Sequence, residues 1–177
     1  MPELVDPTVT LRSSFRSAVA EYRADRESEL PWFVHDIEPA ALTGEAAFTA
    51  YVDRLLAERQ VIGVRADGFV AQTTLWWVDG TTFLGRLAVR HRLTPNLTRL
   101  GGHIGYDVRP TARRQGHATA ILAAALPVAA ALGITEALLT CAESNTASRH
   151  VIESNGGRYL DTSGDRRRYL LPTVGSR

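Results

Sequence analysis

Residues 103–141 carry the pattern that most limits what this chain can fold into. A short strand near His103–Val108 runs into a glycine-containing turn. An alanine-rich helix follows to Leu132, where Gly133 stops it, and then comes "ITEALLTC", apolar on both faces. Strand, helix and doubly buried strand in that order read as a crossover, which needs a sheet with helices packed against it. Pro127 lies inside the helix and is expected to kink it, because proline removes one backbone hydrogen bond.

The flanking sequence supports a mixed α/β order. Pro7 to Leu11 reads as a short strand, and a helix with Phe15, Ala18, Val19 and Tyr22 at helical spacing follows from Ser13 or Ser14. "LPWFVHDIEP" reads as a loop. Thr43 is placed to cap a second helix with Phe48, Tyr51, Val52, Leu55 and Leu56 on one stripe. Phe69–Val78 and Thr82–Val89 form a hairpin about Asp79-Gly80. "HRLTPNLTRLGG" is a loop, a helix starts near Asn145 and ends at Asn155-Gly156-Gly157, and strands near Arg158–Asp161 and Arg168–Leu171 flank "TSGD". No repeat or linker divides the chain, so residues 1–177 are expected to form one domain.

Composition excludes several classes of chemistry. Cys141 is the one cysteine, which leaves no internal disulfide, CxxC pair or cysteine zinc cluster. All 20 basic residues are arginine, so neither a lysine-bearing phosphate loop nor a lysine Schiff base is available. No metal site is expected. A net charge of +1 favours neither nucleic acid nor an anionic membrane. With no spanning apolar run and no secretion-type start, a cytoplasmic location is expected.

"VRPTARRQGHATAIL" places two cations and a glycine at a helix start, which already carries unpaired N–H groups and partial positive charge. The amides of Arg114 to Ala118 converge there, and Gly116 permits close approach of a ligand to the backbone. Amides plus arginine charge suit a phosphate or diphosphate. A glycine connection with solvated arginines is the other reading of these residues alone.

Beyond those residues, "RRQGHA" fits [Q/R]-x-x-G-x-[G/A], and Gly102–Gly157 as a whole resembles the GNAT acetyltransferase superfamily. The block "GGHIGYDVRP…RRQGHA…TCAESNTASRHVIESNGG" is similar to a less-characterised group of predicted bacterial acetyltransferases. The resemblance implies a mixed, twisted α/β sheet with helices on both faces and a splayed strand pair that holds acetyl-CoA. It implies transfer of acetyl to an amine by direct attack in a ternary complex. The amides of Arg114, Gln115, Gly116, His117 and Ala118 would hold the pyrophosphate, with Arg113 or Arg114 adding charge. Tyr106, Asp107 and Val108 would pair with the pantetheine arm, and the Val108 N–H would serve as oxyanion donor. Asn145 would hydrogen-bond the cofactor and Ser148 would line it, while a helix cap is the other reading of Asn145. The acceptor would be a small amine or amino-acid derivative first, a protein amine second. Dimers are common in the superfamily.

The chain departs from the superfamily in two places. The tyrosine often found seven residues after the Asn is Ile152 here, so that general acid is missing. The positions matching a strand Glu or His are Gly102 and Ile104. His103 between them reads as a packing histidine, while Tyr106 is a candidate acid or base and Glu143 a further candidate that reads first as a solvated loop carboxylate. His91 and the His35-Asp36 pair are further candidates near the mouth. Cys141 reads as a buried small residue. Trp76 and Trp77 point to opposite faces of one strand, so at most one can line a cleft. Trp32 and Phe33 either shape the acceptor pocket or cover the core. A non-catalytic acyl-CoA sensor is the alternative function that these departures favour.

Overall fold

The computed structural model describes residues 1–174. Two antiparallel sheets form its frame. The first runs β1 (Glu3–Val5), β2 (Gln72–Asp79), β3 (Thr82–Arg90), β4 (Ile104–Val108) in spatial order. The second runs β5 (Glu136–Ala142), β7 (Arg166–Pro172), β6 (Arg158–Ser163). The helices are α1 (Arg12–Ala24), α2 (Trp32–His35), α3 (Pro39–Thr43), α4 (Glu45–Ala57), α5 (Pro95–Arg99), α6 (His117–Ala131) and α7 (Thr146–Ser154).

Helices cover both faces, as expected. Phe15, Ala18, Val19 and Tyr22 of α1 and Phe48, Tyr51, Val52 and Leu55 of α4 pack with Trp76, Val78 and Phe83 on one face. Ile121, Leu122, Ala125 and Ala129 of α6 and Val151 and Ile152 of α7 pack with Trp77, Leu87, Val89 and Ile104 on the other. Trp76 and Trp77 therefore take opposite faces, and both are buried.

Several local expectations are corrected. The first strand is Glu3–Val5, and Val9–Leu11 is a 3₁₀ turn whose lead residue Thr8 accepts the Thr10 N–H. Ser14 does not cap α1; its Oγ accepts the Phe83 N–H at 2.9 Å and ties the helix to β3. Gly44, not Thr43, precedes α4, and the loops around Trp32 and Pro95 each contain one short helix. The hairpin turns at Gly80 as expected, with φ +57° and Asp79 facing Thr82. Helix α6 continues across Pro127.

β4 and β5 share no ladder. The sheets are joined at a short seam: Gly102 bridges Leu139, the His103 N–H donates to the Leu138 carbonyl at 2.7 Å, and the Gly101 N–H donates to Thr140 Oγ1 at 2.8 Å. His103 returns a second bond, its Nδ1 accepting the Leu138 N–H at 2.9 Å. Gly102 has φ +64°, and a Cβ there would lie 2.3 Å from the Leu138 carbonyl oxygen. Backbone cannot yield as a flexible side chain does. Gly102→Ala is accordingly expected to lower the thermal midpoint by roughly 5–15 °C, from overpacking and left-handed strain together. Calorimetric melting checks this, and an unchanged midpoint would show that the seam relaxes freely.

Candidate active site

Beyond the seam, the register of β4 decides what it offers. Arg109 N–H donates to Leu84 O at 2.8 Å and Arg90 N–H to His103 O at 2.7 Å. These bonds flank the facing pairs Gly85–Val108 and Val89–Ile104, which marks both as non-hydrogen-bonded pairs of the β3–β4 ladder. By alternation Tyr106 belongs to the same set. The N–H and C=O groups of Tyr106 and Val108 therefore turn away from β3, toward the side where β5 has parted. Arg113 Nε donates to the Val108 carbonyl at 3.3 Å, which leaves the Val108 N–H as the group on offer. The edge is a strand lacking its neighbour, and it fits an arm that carries amides.

Asp107 does not share that edge. It faces Arg86 in the alternate, hydrogen-bonded set, so its backbone is spent on β3. The expectation that it pairs with the pantetheine arm is corrected here.

The turn after β4 is built for an anion. Pro110–Ala112 makes one 3₁₀ turn, then Arg114 takes φ +62° and Gly116 φ +83°, the latter as the residue before α6. A left-handed arginine is uncommon and marks a backbone held by its surroundings. Among the described residues, none of the N–H groups of Arg114, Gln115, Gly116, His117 and Ala118 donates to another backbone segment. Nothing lies within 4 Å of where a Gly116 side chain would begin. Free amides, the α6 dipole and open space fit a pyrophosphate.

The side chains of this turn divide the work. Arg113 is corrected from phosphate ligand to anchor: its Nη1 reaches Asp25 at 2.6 Å and Ser28 at 3.0 Å, tying the turn to the end of α1. Arg114 is exposed and takes no carboxylate among the described residues, so it is the cation available to a phosphate. Gln115 Nε2 donates back to Thr111 O at 3.2 Å. His117 Nδ1 accepts the Trp77 indole N–H at 3.2 Å, fixing the ring's orientation at the helix start.

On the side of α7, Asn145 caps the helix, its Oδ1 accepting the Ser148 N–H at 2.9 Å. Ile152 is 1% exposed, committed to the core. Tyr106 instead brings a hydroxyl to this region, with its Oη 2.9 Å from Ser148 Oγ. Burial pushes the Tyr106 phenol up to about 12, against the pull of the Ser148 hydrogen bond. A phenol so held stays protonated at neutral pH, an acid rather than a base. Cys141 is buried and its thiol is pushed up by that burial, which leaves it inert as a nucleophile.

The opposite face of β4 holds groups that the sequence reading left out. Strand alternation puts the Asp107 side chain there, beside the cross-strand Arg86, with Tyr22 of α1 near both. Asp107 is half-buried; burial raises its carboxyl above the ordinary range, against the pull of Arg86 and Arg113. The Tyr22 hydroxyl is buried with no partner among the described residues, and its pKa is raised by burial. One signal in the sequence pointed to Asp107: a carboxylate directly before the oxyanion position must face away from Tyr106.

The other candidates are used elsewhere. His103 staples the seam. Glu143 is exposed and pairs with Arg167 at 3.3 Å, a surface ion pair. His91 Nε2 meets Thr73 Oγ1 at 2.9 Å, and burial lowers its pKa. His35 is exposed, and Asp36 takes Arg54 at 2.7 Å. Trp32 is 69% exposed while Phe33 is buried, so only Phe33 serves the core. Among the described residues, no group of three or more His, Cys, Asp or Glu is placed to hold a metal ion, and no helix is long and apolar enough to cross a membrane.

An outward-turned strand edge beside a parted neighbour, followed by an open amide turn at a helix start, fits a ligand that joins an amide-bearing arm to a phosphate group. Comparison with known proteins is more specific. Residues 12–158 match the family model for the acetyltransferase (GNAT) domain. The chain belongs to the GNAT acetyltransferase family.

Solved structures agree on the fold. RimL, a ribosomal L7/L12 alpha-N-protein acetyltransferase in complex with coenzyme A, aligns over 97% of this chain and 93% of its own at TM-score 0.65 and 18% identity. The microcin C7 self-immunity acetyltransferase MccE, in complex with acetyl-CoA and AMP, aligns over 97% and 92% at TM-score 0.67 and 12% identity. A ribosomal-protein-S5-alanine acetyltransferase from Vibrio fischeri aligns over 97% and 93% at TM-score 0.68 and 10% identity. No curated protein matches the chain by sequence.

Proposed function

We propose that the chain acetylates a primary amine by direct attack in a ternary complex, with the two faces of β4 dividing the labour. Bound acetyl-CoA supplies an activated acetyl group. The amides of Arg114 to Ala118 and the Arg114 guanidinium hold the phosphates, and the Tyr106 and Val108 edge holds the arm. The Val108 N–H donates to the carbonyl oxygen as negative charge grows on it, the kind of contact that contributes most to acyl transfer. The Tyr106 hydroxyl, kept protonated by burial and hydrogen-bonded to Ser148, gives a proton to the departing sulfur. Asp107 takes the proton of the acceptor's ammonium group from the other face. Asn145 and Ser148 form the far wall.

The observation that carries this reading is the β4 register, which turns the Val108 amide into the slot and the Asp107 carboxyl out of it. The acceptor is an amine of a small molecule or amino-acid derivative, with a protein amine as the second possibility. RimL and the Vibrio fischeri enzyme are named for ribosomal proteins, which supports that second possibility.

A non-catalytic acyl-CoA sensor is the alternative that Ile152 favours, because the family's usual acid is absent. Calorimetric titration with acetyl-CoA, desulfo-CoA and ATP, followed by an amine panel, separates these readings. Binding of both coenzyme A compounds with turnover on some amine is expected. Binding without turnover on any amine would favour the sensor, and no binding would remove both readings.

A further inference from the structure

On the Asp107 face, beneath Tyr22 and Phe33, β3 and β4 carry a low strip of small and charged residues. Arg86, Ala88 and Arg90 of β3 share this face and stand opposite Asp107, Gly105 and the strand start. Gly105 contributes no side chain, and from the position of its missing Cβ the one atom within 4 Å is Arg90 Nη1 at 3.9 Å. Ala88 is equally small. The floor is therefore low, with a guanidinium on either side of the Ala88–Gly105 pair and a carboxyl at the Val108 end. Arg86, Arg90, Gly105 and Asp107 are all half-buried, with Ala88 buried between them.

Neither arginine is neutralised by a carboxylate contact among the described residues. Arg54, Arg59, Arg109 and Arg113 all take carboxylates. Arg86 reaches only Thr74 Oγ1, at 3.4 Å, lies over the Phe33 ring at 5.0 Å, and has a buried Nε without an acceptor. Arg90 donates to the Gly101 and Gly102 carbonyls at 3.4 and 3.1 Å. Burial, with Arg86 adding like-charge repulsion, lowers the Arg90 pKa. Two partly desolvated cations on one strand face cost stability unless an anion joins them. Each keeps free donors in the planar fork that suits a carboxylate.

We infer that the acceptor is an amine carrying a neighbouring carboxylate, its amino group at Asp107 and its carboxylate on Arg86, with Arg90 placed for a second acidic group. This rests on the acetyl-transfer reading and names its substrate class. Two sources share the chemistry, a free amino acid with an acidic side chain and the N-terminus of an acidic peptide.

The test compares turnover of acetyl-CoA with matched pairs of acceptors. Aspartate is set against asparagine, glutamate against glutamine, and a peptide with acidic second and third residues against its amide counterpart. The acid of at least one pair is expected to win by about tenfold or more in kcat/KM, as charge-assisted contacts predict. Whichever pair shows the preference identifies the source. Arg86→Gln is expected to raise KM about equally for both members of each free amino-acid pair, which share the α-carboxylate. In the peptide pair it is expected to erase the preference, with acetyl-CoA affinity unchanged. Arg90→Gln, which leaves the Phe33 stack intact, is expected to erase the preference for aspartate over asparagine and for glutamate over glutamine.

Equal use of acid and amide in every pair, with KM unmoved by Arg86→Gln, would overturn the inference and leave acetyl transfer standing. A preference that survives both substitutions would overturn it as well. Acetyl-CoA binding with no amine turned over would overturn the inference and the enzyme reading together.

Discussion

Gly116→Asp is expected to abolish acetyl-CoA binding while the protein melts within a few degrees of the parent. The position is exposed, has nothing within 4 Å of a new Cβ, and adopts φ +83°. An L-residue there costs about 1–2 kcal/mol of strain, and aspartate tolerates this region better than most residues. The fold can absorb that. The site cannot, because the new carboxylate stands among the N–H groups that await a phosphate and accepts hydrogen bonds from them. It also repels the pyrophosphate at close range, where solvent screens little. Affinity should fall by about a hundredfold or more, the equivalent of about 2.7 kcal/mol. Calorimetric titration beside a thermal melt reads both quantities. Retained affinity in a folded variant would place the phosphates elsewhere.

The second large effect is expected at Asp107. Replacing it with asparagine keeps the shape and removes proton acceptance, so kcat should drop by about 10²–10⁴-fold. The pH dependence gives a separate signature. Burial holds the Asp107 carboxyl above its ordinary value, and in the proposed mechanism the carboxylate is the active form. Turnover should therefore rise with pH through that raised pKa, an acid limb displaced upward from that of an exposed carboxylate. The limb should vanish in Asp107→Asn.

Stability moves in the opposite sense. A carboxyl whose folded pKa is raised contributes stability below its unfolded pKa, and that contribution is lost as pH rises through the folded value. Above that raised pKa the native carboxylate is thus a burden, and there the asparagine variant should melt at the same temperature or higher. Lower activity with equal or greater stability marks a residue kept for chemistry. A parallel fall of both would reduce Asp107 to a packing role.

These effects differ in how far the sequence disclosed them. The open amide turn was legible because its information is local: Gly116, its arginines and the helix behind them lie in one short run. The edge role of Val108 was legible only through resemblance, since the direction of an amide depends on ladder register. Asp107 and Arg86 meet across two strands, and no spacing along the chain announces that pairing. Arg113 was misread for a related reason. Its partner Asp25 is 88 residues away, so it looked like a free cation beside Arg114. The short helices α2, α3 and α5 span four or five residues each, too few for periodicity to register. The three-residue β1 takes its place by pairing with Trp76–Val78, which its own alternation could not foretell.

The seam at Gly101–His103 has one more consequence. Seven strands here make two half-sheets with a single lateral join, at one end of the β4–β5 gap. At the other end, backbone groups that would complete a continuous sheet have no strand to meet. A ligand lodged there does more than present a reactive group: it splices the halves, substituting for the missing rungs of a ladder. If the proposed ligand binds there, the stability of the fold should rise with its supply, because the small molecule then finishes the backbone pairing.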